Sequence, residues 1–564
     1  MAAVNAIAEA PRPRRILFCL QSLWYLRNVV TVLESLAAAG HEVVLITLQD
    51  GSEDAPAALQ LRRMLAAHPQ LHHMRGPVRR GLWAPFASYL RRAIDLLYFR
   101  GPAFATKPGL LGRAERRAPA IFNALCRRGL WRTPAANARM LQRLCTAERA
   151  LPVDRAIRRH LQALNGDALV VCPLIDLGVG QGDHVRAADA IGLRSLLLVH
   201  SWDNLSSKTL IRTVPDRVAV WNPAQVEEAA QFHGLPPDRI VVTGAPPYDA
   251  WFTRRPEMSR ADFAGALGFD PTRPIILYVC SATFGHKHVP EHRFIKRWLK
   301  ALRHAEAEVV RHANVLIRPH PKRAGVVTRD RLDLADGHGQ RVAIWPDDAQ
   351  NPVSIEARST YFHSLWHADA VVGINTSAMI EAAILRKPML TVLDPEFSAS
   401  QDGTFHFAYL LDGPLRAAAT LEDHVAQLAR ALDGAEPAGA REQRFVAEFV
   451  RPLGLDVDAT ARLHHEIVAL AAAGPKPVVQ QKGLERLAPA VLLPLALIIP
   501  ALDSVTLARG LRLSARIARA YRKMALRPLQ CGRAMLPPRA LRVARHLLAR
   551  ARRATAPLRE DGTS

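Results

Sequence analysis

The first fifty residues combine short apolar runs with a longer amphipathic stretch. Arg15–Leu20 and Glu42–Thr47 are apolar runs of strand length, separated by a helical pattern and a turn at Gly40. Runs without polar alternation are typical of strands that are buried on both faces. Strand, helix, turn and strand in this order predict a βαβ unit, and therefore a parallel sheet.

Similar apolar runs recur along the chain in two groups. The first group lies at residues 168–172, 193–200, 216–221 and 239–244, and the second at 274–280, 314–318, 342–345, 370–373 and 388–393. Helical patterns separate the runs of the second group. The repetition predicts an α/β protein with two Rossmann-like domains that face a cleft. Ligands of such domains bind at the carboxyl ends of the strands.

Changes in composition suggest the domain boundaries. We place the first domain at residues 14–255, with a helical and basic insertion without clear strands near 55–164, and the second at 258–440. Residues 475–564 are predicted to form a basic amphipathic helical tail. Its apolar run at 488–502 contains Pro494 and Pro500 and is shorter than the roughly 20 residues that span a bilayer. It is therefore interpreted as an interfacial or re-entrant segment, or as a helical appendage that packs on the protein body.

The charge of the chain indicates an anionic partner. The formal net charge is +24, and from Lys476 to Ser564 there are 18 Lys and Arg against 4 Asp and Glu, which gives +14. No zinc-finger spacing or aromatic RNA-binding signature is present, so we expect no nucleic-acid partner. The basic stretches are interleaved with apolar residues, which favours an anionic membrane surface contacted through residues 475–564.

Six cysteines are scattered without a CxxC pair, which argues against a disulfide scaffold or a structural zinc site. No long apolar run follows the first methionine. These features predict a cytoplasmic protein that is peripheral on the inner face of the cell membrane.

Polar residues crowd after the predicted strand at 193–200, in the sequence HSWDNLSSK. At the carboxyl end of a strand they would face the cleft. His200 and Asp203 are candidate general bases that could take a proton from a hydroxyl group. Asn204 could contact a substrate in the cleft. The alternative is a helix start at which Asp203 or Ser206 is the N-cap.

Two basic clusters follow strands of the second domain. Lys287 and His286 lie in the sequence SATFGHKH after the strand at 274–280, where small residues would let backbone amides approach a phosphate. Arg318 and His320 lie in the stiff sequence RPHP, and a guanidinium suits phosphate. A metal ion on the HxH pair would lack a third ligand nearby, so no metal ion and no cofactor are expected.

Thr376 and Ser377 open a predicted helix directly after the strand at 370–373. A helix start with hydroxyl groups is suited to a diphosphate. Glu381 lies one turn further on the same face, where a carboxylate could bind both hydroxyls of a ribose; the alternative is a capping arrangement.

A further polar segment, QDGTFHF, follows the run at 388–393. It could contact a donor sugar or reach across the cleft, and its candidate residues are Gln401, Thr404 and His406.

These motifs carry a family resemblance. The sequence LIRPHP followed by ADAVVGINTSAMIEAAILRKPMLTV resembles the donor half of GT-B glycosyltransferases, and is similar to teichoic-acid-type glycerophosphotransferases and UDP-GlcNAc 2-epimerase-like proteins. The set HSWDNLSSK, GAPPYDAWF and QDGTFHF most resembles bacterial surface-carbohydrate transferases. The glycerophosphotransferases carry a Trp-His-Gly segment with a proposed catalytic histidine, and Asp203 occupies the corresponding place here.

The resemblance covers residues 165–410 and implies an acceptor domain followed by a nucleotide-donor domain. It also implies a metal-independent glycosyltransferase that uses a nucleotide-diphosphate sugar as substrate. The acceptor would be a cell-surface glycan or a lipid-linked molecule. The alternatives are a CDP-alcohol phosphotransferase of the glycerol-phosphate type and a non-catalytic, membrane-associated scaffold of the same fold.

Overall fold

The structure, a computed structural model, describes residues 12–49, 55–281, 291–321, 325–332, 334, 341–346, 354–434, 439–478 and 489–501. Two parallel sheets lie in these residues. Each sheet has helices on both faces.

The first sheet has seven strands in the order β3-β2-β1-β4-β5-β6-β7, all parallel. Successive residues of β1 point to opposite faces, so Ile16 and Phe18 join one apolar cluster and Leu17 and Cys19 join another. The bounds are β1 Arg15–Leu20, β2 Glu42–Thr47, β3 Leu71–Arg75, β4 Ala168–Cys172, β5 Arg194–Leu198, β6 Arg217–Val220 and β7 Ile240–Val242.

The second sheet has six parallel strands in the order β10-β9-β8-β11-β12-β13. Their bounds are β8 Ile275–Val279, β9 Asn314–Arg318, β10 Val342–Ile344, β11 Ala370–Val372, β12 Met389–Val392 and β13 Leu415–Ala418. Both sheets reverse their strand order beside the first strand of the domain, as in Rossmann folds. The predicted α/β class with two Rossmann-like domains is confirmed.

The first ten helices of the described residues lie in the stretch of chain that forms the first sheet: α1 Val30–Ala38, α2 Ala55–Ala67, α3 Trp83–Phe99, α4 Pro108–Arg117, α5 Ala120–Arg127, α6 Pro134–Arg149, α7 Arg155–Leu164, α8 Gly182–Asp189, α9 Asn204–Ser207 and α10 Pro223–His233. The expectation that residues 55–164 contain no strand is wrong, because β3 lies there and pairs with β2. The other elements of this insertion are helices, as predicted.

The remaining helices are α11 Asp249–Thr253, α12 Arg260–Ala266, α13 Glu291–Arg303, α14 Glu308–Arg311, α15 Arg329–Leu332, α16 Ile355–Trp366, α17 Ala378–Ile384, α18 His406–Leu411, α19 Leu421–Leu432, α20 Ala440–Phe445 and α21 Ala459–Ala472. Residues 489–501 are also helical. Helix α21 packs against α1 of the first domain.

The chain crosses between the domains twice, and Asp249 ties the crossings together. Its carboxylate accepts hydrogen bonds from Arg451 Nη2 at 2.8 Å and from the amide and hydroxyl of Thr460, each at 2.7 Å. Gly244 has a φ of +81°, and a Cβ there would lie 2.8 Å from Ala459. The GAPPYD sequence therefore forms the junction at which the returning chain meets the first domain.

Most of the predicted basic tail, residues 479–488 and 502–564, lies outside the described residues. Two parts of the tail are described. In residues 475–478, Lys476 pairs with Asp189 and Asp216 of the first domain. Residues 489–501 pack on the insertion helices of the first domain. Within the described part of the chain, no helix combines the length and the apolar character that a membrane crossing requires.

Candidate functional site

A cavity of about 310 Å³ lies between the two domains at the carboxyl ends of both sheets. Its lining includes Tyr25, Arg27 and His200 of the first domain, and Arg318, His320, Arg358, Tyr361, Thr376, Ser377 and Glu381 of the second. Among the described residues that line it, four are arginines and one is acidic. The cleft therefore attracts anions.

Arg318 is the last residue of β9 and is 4% exposed. Nη1 donates to Ser364 Oγ at 3.2 Å, the guanidinium lies 4.9 Å from the centre of the Tyr361 ring, and Nη2 has no hydrogen-bond partner. Burial lowers the pKa of Arg318 to about 10, so the group is still charged at neutral pH. A buried cation with an unused donor is poised to bind an anion in the cleft.

Glu381 lies in α17, the helix that follows β11. Its carboxyl group receives a hydrogen bond from Tyr361, and Oε2 has no partner. Burial raises the pKa of Glu381 to about 8. Tyr361 thus contacts both Arg318 and Glu381, and joins an anion-binding group to a group that can accept two hydroxyl donors.

Thr376 and Ser377 line the same cavity, between β11 and α17. The chain turns sharply before them at Gly373, where a Cβ would lie 2.9 Å from the carbonyl oxygen of Val279. Only glycine lets the chain after β11 approach the end of β8 this closely. The turn brings the two hydroxyl residues to the point where the strand order reverses, which is the usual ligand position in this fold.

His200 follows β5 and faces the cavity from the first domain. Its ring packs edge-to-face on Tyr25 at 5.1 Å, and its Nδ1 atom has no hydrogen-bond partner. The Tyr25 hydroxyl donates to Asp176 Oδ2 at 2.8 Å, which fixes the ring against His200. Burial lowers the pKa of His200 to about 4, so its imidazole is neutral at pH 7.

Asp203 does not belong to the cavity lining. Its carboxylate accepts hydrogen bonds from Ser201 Oγ at 2.7 Å and from Ser207 Oγ at 2.9 Å. Burial alone would raise the pKa of Asp203, but Lys208, His406 and the two hydroxyls hold it well below its usual range. Asp203 is the residue before α9, as the capping alternative anticipated, but its side chain makes no N-cap hydrogen bond.

Asn204 is 1% exposed and is also absent from the lining. Its Oδ1 atom accepts hydrogen bonds from the amides of His200 and Ser201, both at 3.2 Å. Its position therefore shapes the loop that carries His200.

In the segment at 401–406, Gln401, Thr404 and His406 are buried. Gln401 Nε2 donates to the carbonyl of Val392 at 2.9 Å, and Thr404 Oγ1 donates to the carbonyl of Gln401 at 3.0 Å. His406 contacts Trp202 of the first domain at 4.6 Å. The segment does reach across the domain boundary, and these three side chains do not line the cavity.

Lys287 and His286 lie outside the described residues. His320 lines the cavity beside Arg318. No group of three metal-ligating side chains converges within the described ranges.

Sequence reasoning missed Tyr25, Arg27, Arg358 and Tyr361. The first two belong to a single 3-10 turn, Leu23–Asn28, directly after β1. Their position at the end of a strand was the available signal. Arg358 and Tyr361 lie in α16, where no sequence signal marks them.

No protein-family model matches the chain, and no curated protein matches its sequence. Solved structures do match in fold. The MnaA–UDP complex of S. aureus is 12% identical, covers 83% of this chain and 100% of its own, and gives a TM-score of 0.45. The UDP-GlcNAc 2-epimerase of Methanocaldococcus jannaschii is 12% identical (81% and 99% covered, TM-score 0.44). MurG of Acinetobacter baumannii is 13% identical (81% and 99% covered, TM-score 0.41).

Proposed function

We propose that the protein is a glycosyltransferase that moves a sugar from a nucleotide-diphosphate donor to a glycan or lipid-linked acceptor, without a metal ion. The observation that carries the proposal is the pairing of Arg318 and Glu381 through Tyr361 in one cleft. A guanidinium with an unused donor suits a diphosphate, and a carboxyl group with an unused oxygen suits a ribose diol.

In this proposal the second domain binds the donor. Arg318 and His320 hold the diphosphate, together with Thr376 and Ser377 at the start of α17. Glu381 accepts hydrogen bonds from the ribose hydroxyls. The cationic cleft also stabilises the negative charge that develops on the leaving diphosphate, which replaces the role that a divalent metal has in other transferases.

His200 is the proposed general base. It takes the proton from the acceptor hydroxyl, the hydroxyl oxygen forms a bond to the anomeric carbon, and the bond from that carbon to the diphosphate oxygen breaks. His200 is preferred over Asp203 because it faces the cavity and is neutral, whereas both Asp203 oxygens already accept hydroxyl donors. Asp203 remains the alternative base.

We also propose that the protein works in the cytoplasm at the inner face of the cell membrane. The net charge of +14 in residues 476–564 supports this location, since anionic lipids attract basic segments. A membrane-embedded acceptor would then lie close to the enzyme.

Thermal melting of the purified protein with UDP-, CDP- and GDP-sugars tests the donor site, with Glu381→Ala as the matched variant. A shift with one base that is lost in the variant supports the proposal and identifies the donor class. Incubation with that donor and a membrane extract should then release a nucleoside diphosphate in the presence of EDTA. Release of a nucleoside monophosphate would instead indicate a phosphotransferase. A protein that is stabilised by none of the donors contradicts the proposal.

A further inference from the structure

A second surface, outside the cavity lining, combines exposed apolar side chains with arginines. It comprises the exposed face of the helix at 489–501, α5 and the turn after α5, and we call it the insertion surface. The sequence of the helix is PAVLLPLALIIPA, in which none of the thirteen residues has a polar side chain.

One face of this helix is packed on the protein. Leu492, Ala496 and Ile499 lie one turn apart and join a cluster with Phe86 and Leu90 of α3. The helix is therefore anchored to the insertion of the first domain.

The adjoining face of the helix is open. Val491 is 73% exposed, Leu495 is 46% exposed and Ile498 is 44% exposed. Three large apolar side chains at i, i+4 and i+7 form a continuous stripe, whereas single exposed apolar residues are ordinary.

The helices beneath this stripe are strongly basic. Residues 108–149 contain nine arginines and two glutamates, so their net charge is 9 − 2 = +7. Phe122 and Trp131 share an apolar cluster with Ile499, so α5 lies beside the helix. The same α5 region exposes Ile121 (37%) and Leu130 (41%). Between and after them the chain exposes Arg127, Arg128 and Arg132.

Charge distinguishes between the possible occupants of this surface. The chain after Ala501 contains 15 Lys and Arg and 3 Asp and Glu, so that segment is also positive. A second copy would present the same arginines. Both would be repelled, whereas an anionic lipid surface offers negative charge to the arginines and an apolar layer to the stripe.

We infer that the insertion surface is the membrane-contacting face of the protein, with Val491, Leu495 and Ile498 inserted at the boundary between headgroups and acyl chains. The inference refines the proposed membrane location by assigning it to the first domain. Helix α4 of the same insertion also reaches the segment that follows His200, because the Arg113 guanidinium donates to the carbonyl of Ser207, the last residue of α9. An acceptor held in the membrane would approach from this side.

The experiment is vesicle co-flotation of the full chain, with phosphatidylglycerol–phosphatidylcholine vesicles and with phosphatidylcholine vesicles. The test variant is Val491→Ser with Leu495→Ser and Ile498→Ser. The control is Leu453→Ser with Val457→Ser, two side chains exposed by 45% and 39% elsewhere on the protein. We expect the test variant to partition on the order of 100-fold less onto anionic vesicles, since three apolar side chains leave the interface. The control should bind like the parent.

A second variant removes charge instead of apolar area. Arg127, Arg128 and Arg132 are changed to Ser, and its control changes three exposed cations outside the insertion surface, Arg293, Lys300 and Arg444. The first set should weaken binding to anionic vesicles more than the second. The donor-induced thermal shift is measured on every variant and should be unchanged, which separates this inference from the donor proposal.

Three outcomes would overturn the inference. In the first, the variant with Val491, Leu495 and Ile498 changed to Ser binds anionic vesicles like the parent. In the second, a test variant and its control lose vesicle binding equally. In the third, gel filtration shows a change in oligomeric state that accounts for the loss of binding. The last would assign the surface to contact between copies.

Discussion

Glu381 is expected to make donor binding depend on pH. Burial raises the pKa of Glu381 to about 8, so in the free protein at pH 6.5 the group is largely protonated. Ribose hydroxyls donate hydrogen bonds best to the ionised form. Binding should therefore release a proton, and affinity should rise with pH until the free carboxyl group is ionised.

The size of the effect follows from the ionised fraction. With a pKa of about 8, that fraction increases about 15-fold between pH 6.5 and pH 8, which is an upper limit for the gain in affinity. A nucleotide sugar is the right probe, because its diphosphate is a diester and does not titrate in this range. Isothermal titration at several pH values, in buffers of different ionisation enthalpy, measures both affinity and proton release.

Glu381→Gln is the control, because it keeps the shape and removes the titration. Its affinity should be low and independent of pH. A flat profile for the parent protein, or an equal slope in the variant, would refute the argument.

The raised pKa has a second consequence for the free protein. Stability is lost as the pH rises from the pKa of the carboxyl group in the unfolded chain through 8, because the buried group must ionise. Glu381→Gln should therefore melt at a higher temperature than the parent at pH 8.5.

Three further predictions concern the cleft and the domain junction. Arg318→Ala should lower donor affinity about 100-fold in titration calorimetry, and Arg318→Lys should restore only part of it, since an ammonium cannot reproduce the guanidinium fork; equal affinity of Arg318→Ala and parent would contradict the assignment. His200→Asn should lower turnover by a factor of about 100 to 10,000 with donor affinity unchanged, as measured by nucleoside diphosphate release; if Asp203→Asn has this effect and His200→Asn does not, Asp203 is the base. Asp249→Asn should destabilise the protein by about 3 kcal/mol or more in denaturant unfolding, because it leaves the buried Arg451 without a counter-charge, whereas the exposed Asp423→Asn should change stability little.

The sheets could be predicted because most of their strands are buried on both faces. Eleven of the thirteen strands in the described residues lie within apolar runs recognised in the sequence. The sequences of the two other strands, β3 and β13, are not uninterrupted apolar runs, for physical reasons. In β3, an edge strand, His72, His73 and Arg75 are exposed, so the apolar signal is lost. In β13, Arg416 is buried because it pairs with Glu442 at 3.2 Å, a contact that local sequence does not reveal.

The cleft was predicted only where its residues follow strands. Arg318 and His200 lie at strand ends, Glu381 lies in the helix that follows β11, and all three line the cavity. Tyr361 does not follow a strand, because it reaches the cavity from the middle of α16. Asp203 follows a strand and is nevertheless absent from the lining, since neighbouring serines engage its carboxylate. Strand ends locate a site in this fold, but tertiary packing decides which side chains reach it.

The return of α21 to the first domain affects the order in which the chain can fold. Leu463, Ile467 and Leu470 belong to the same apolar cluster as Ile16 and Leu33. During synthesis, residues 12–244 leave the ribosome well before Leu463, Ile467 and Leu470 have been added to the chain. Part of the core of the first domain therefore stays exposed until α21 has been made. The second domain is nearly continuous in sequence and can complete its own core earlier. We therefore expect the domain that is synthesised first to be the last to become protected from protease during synthesis.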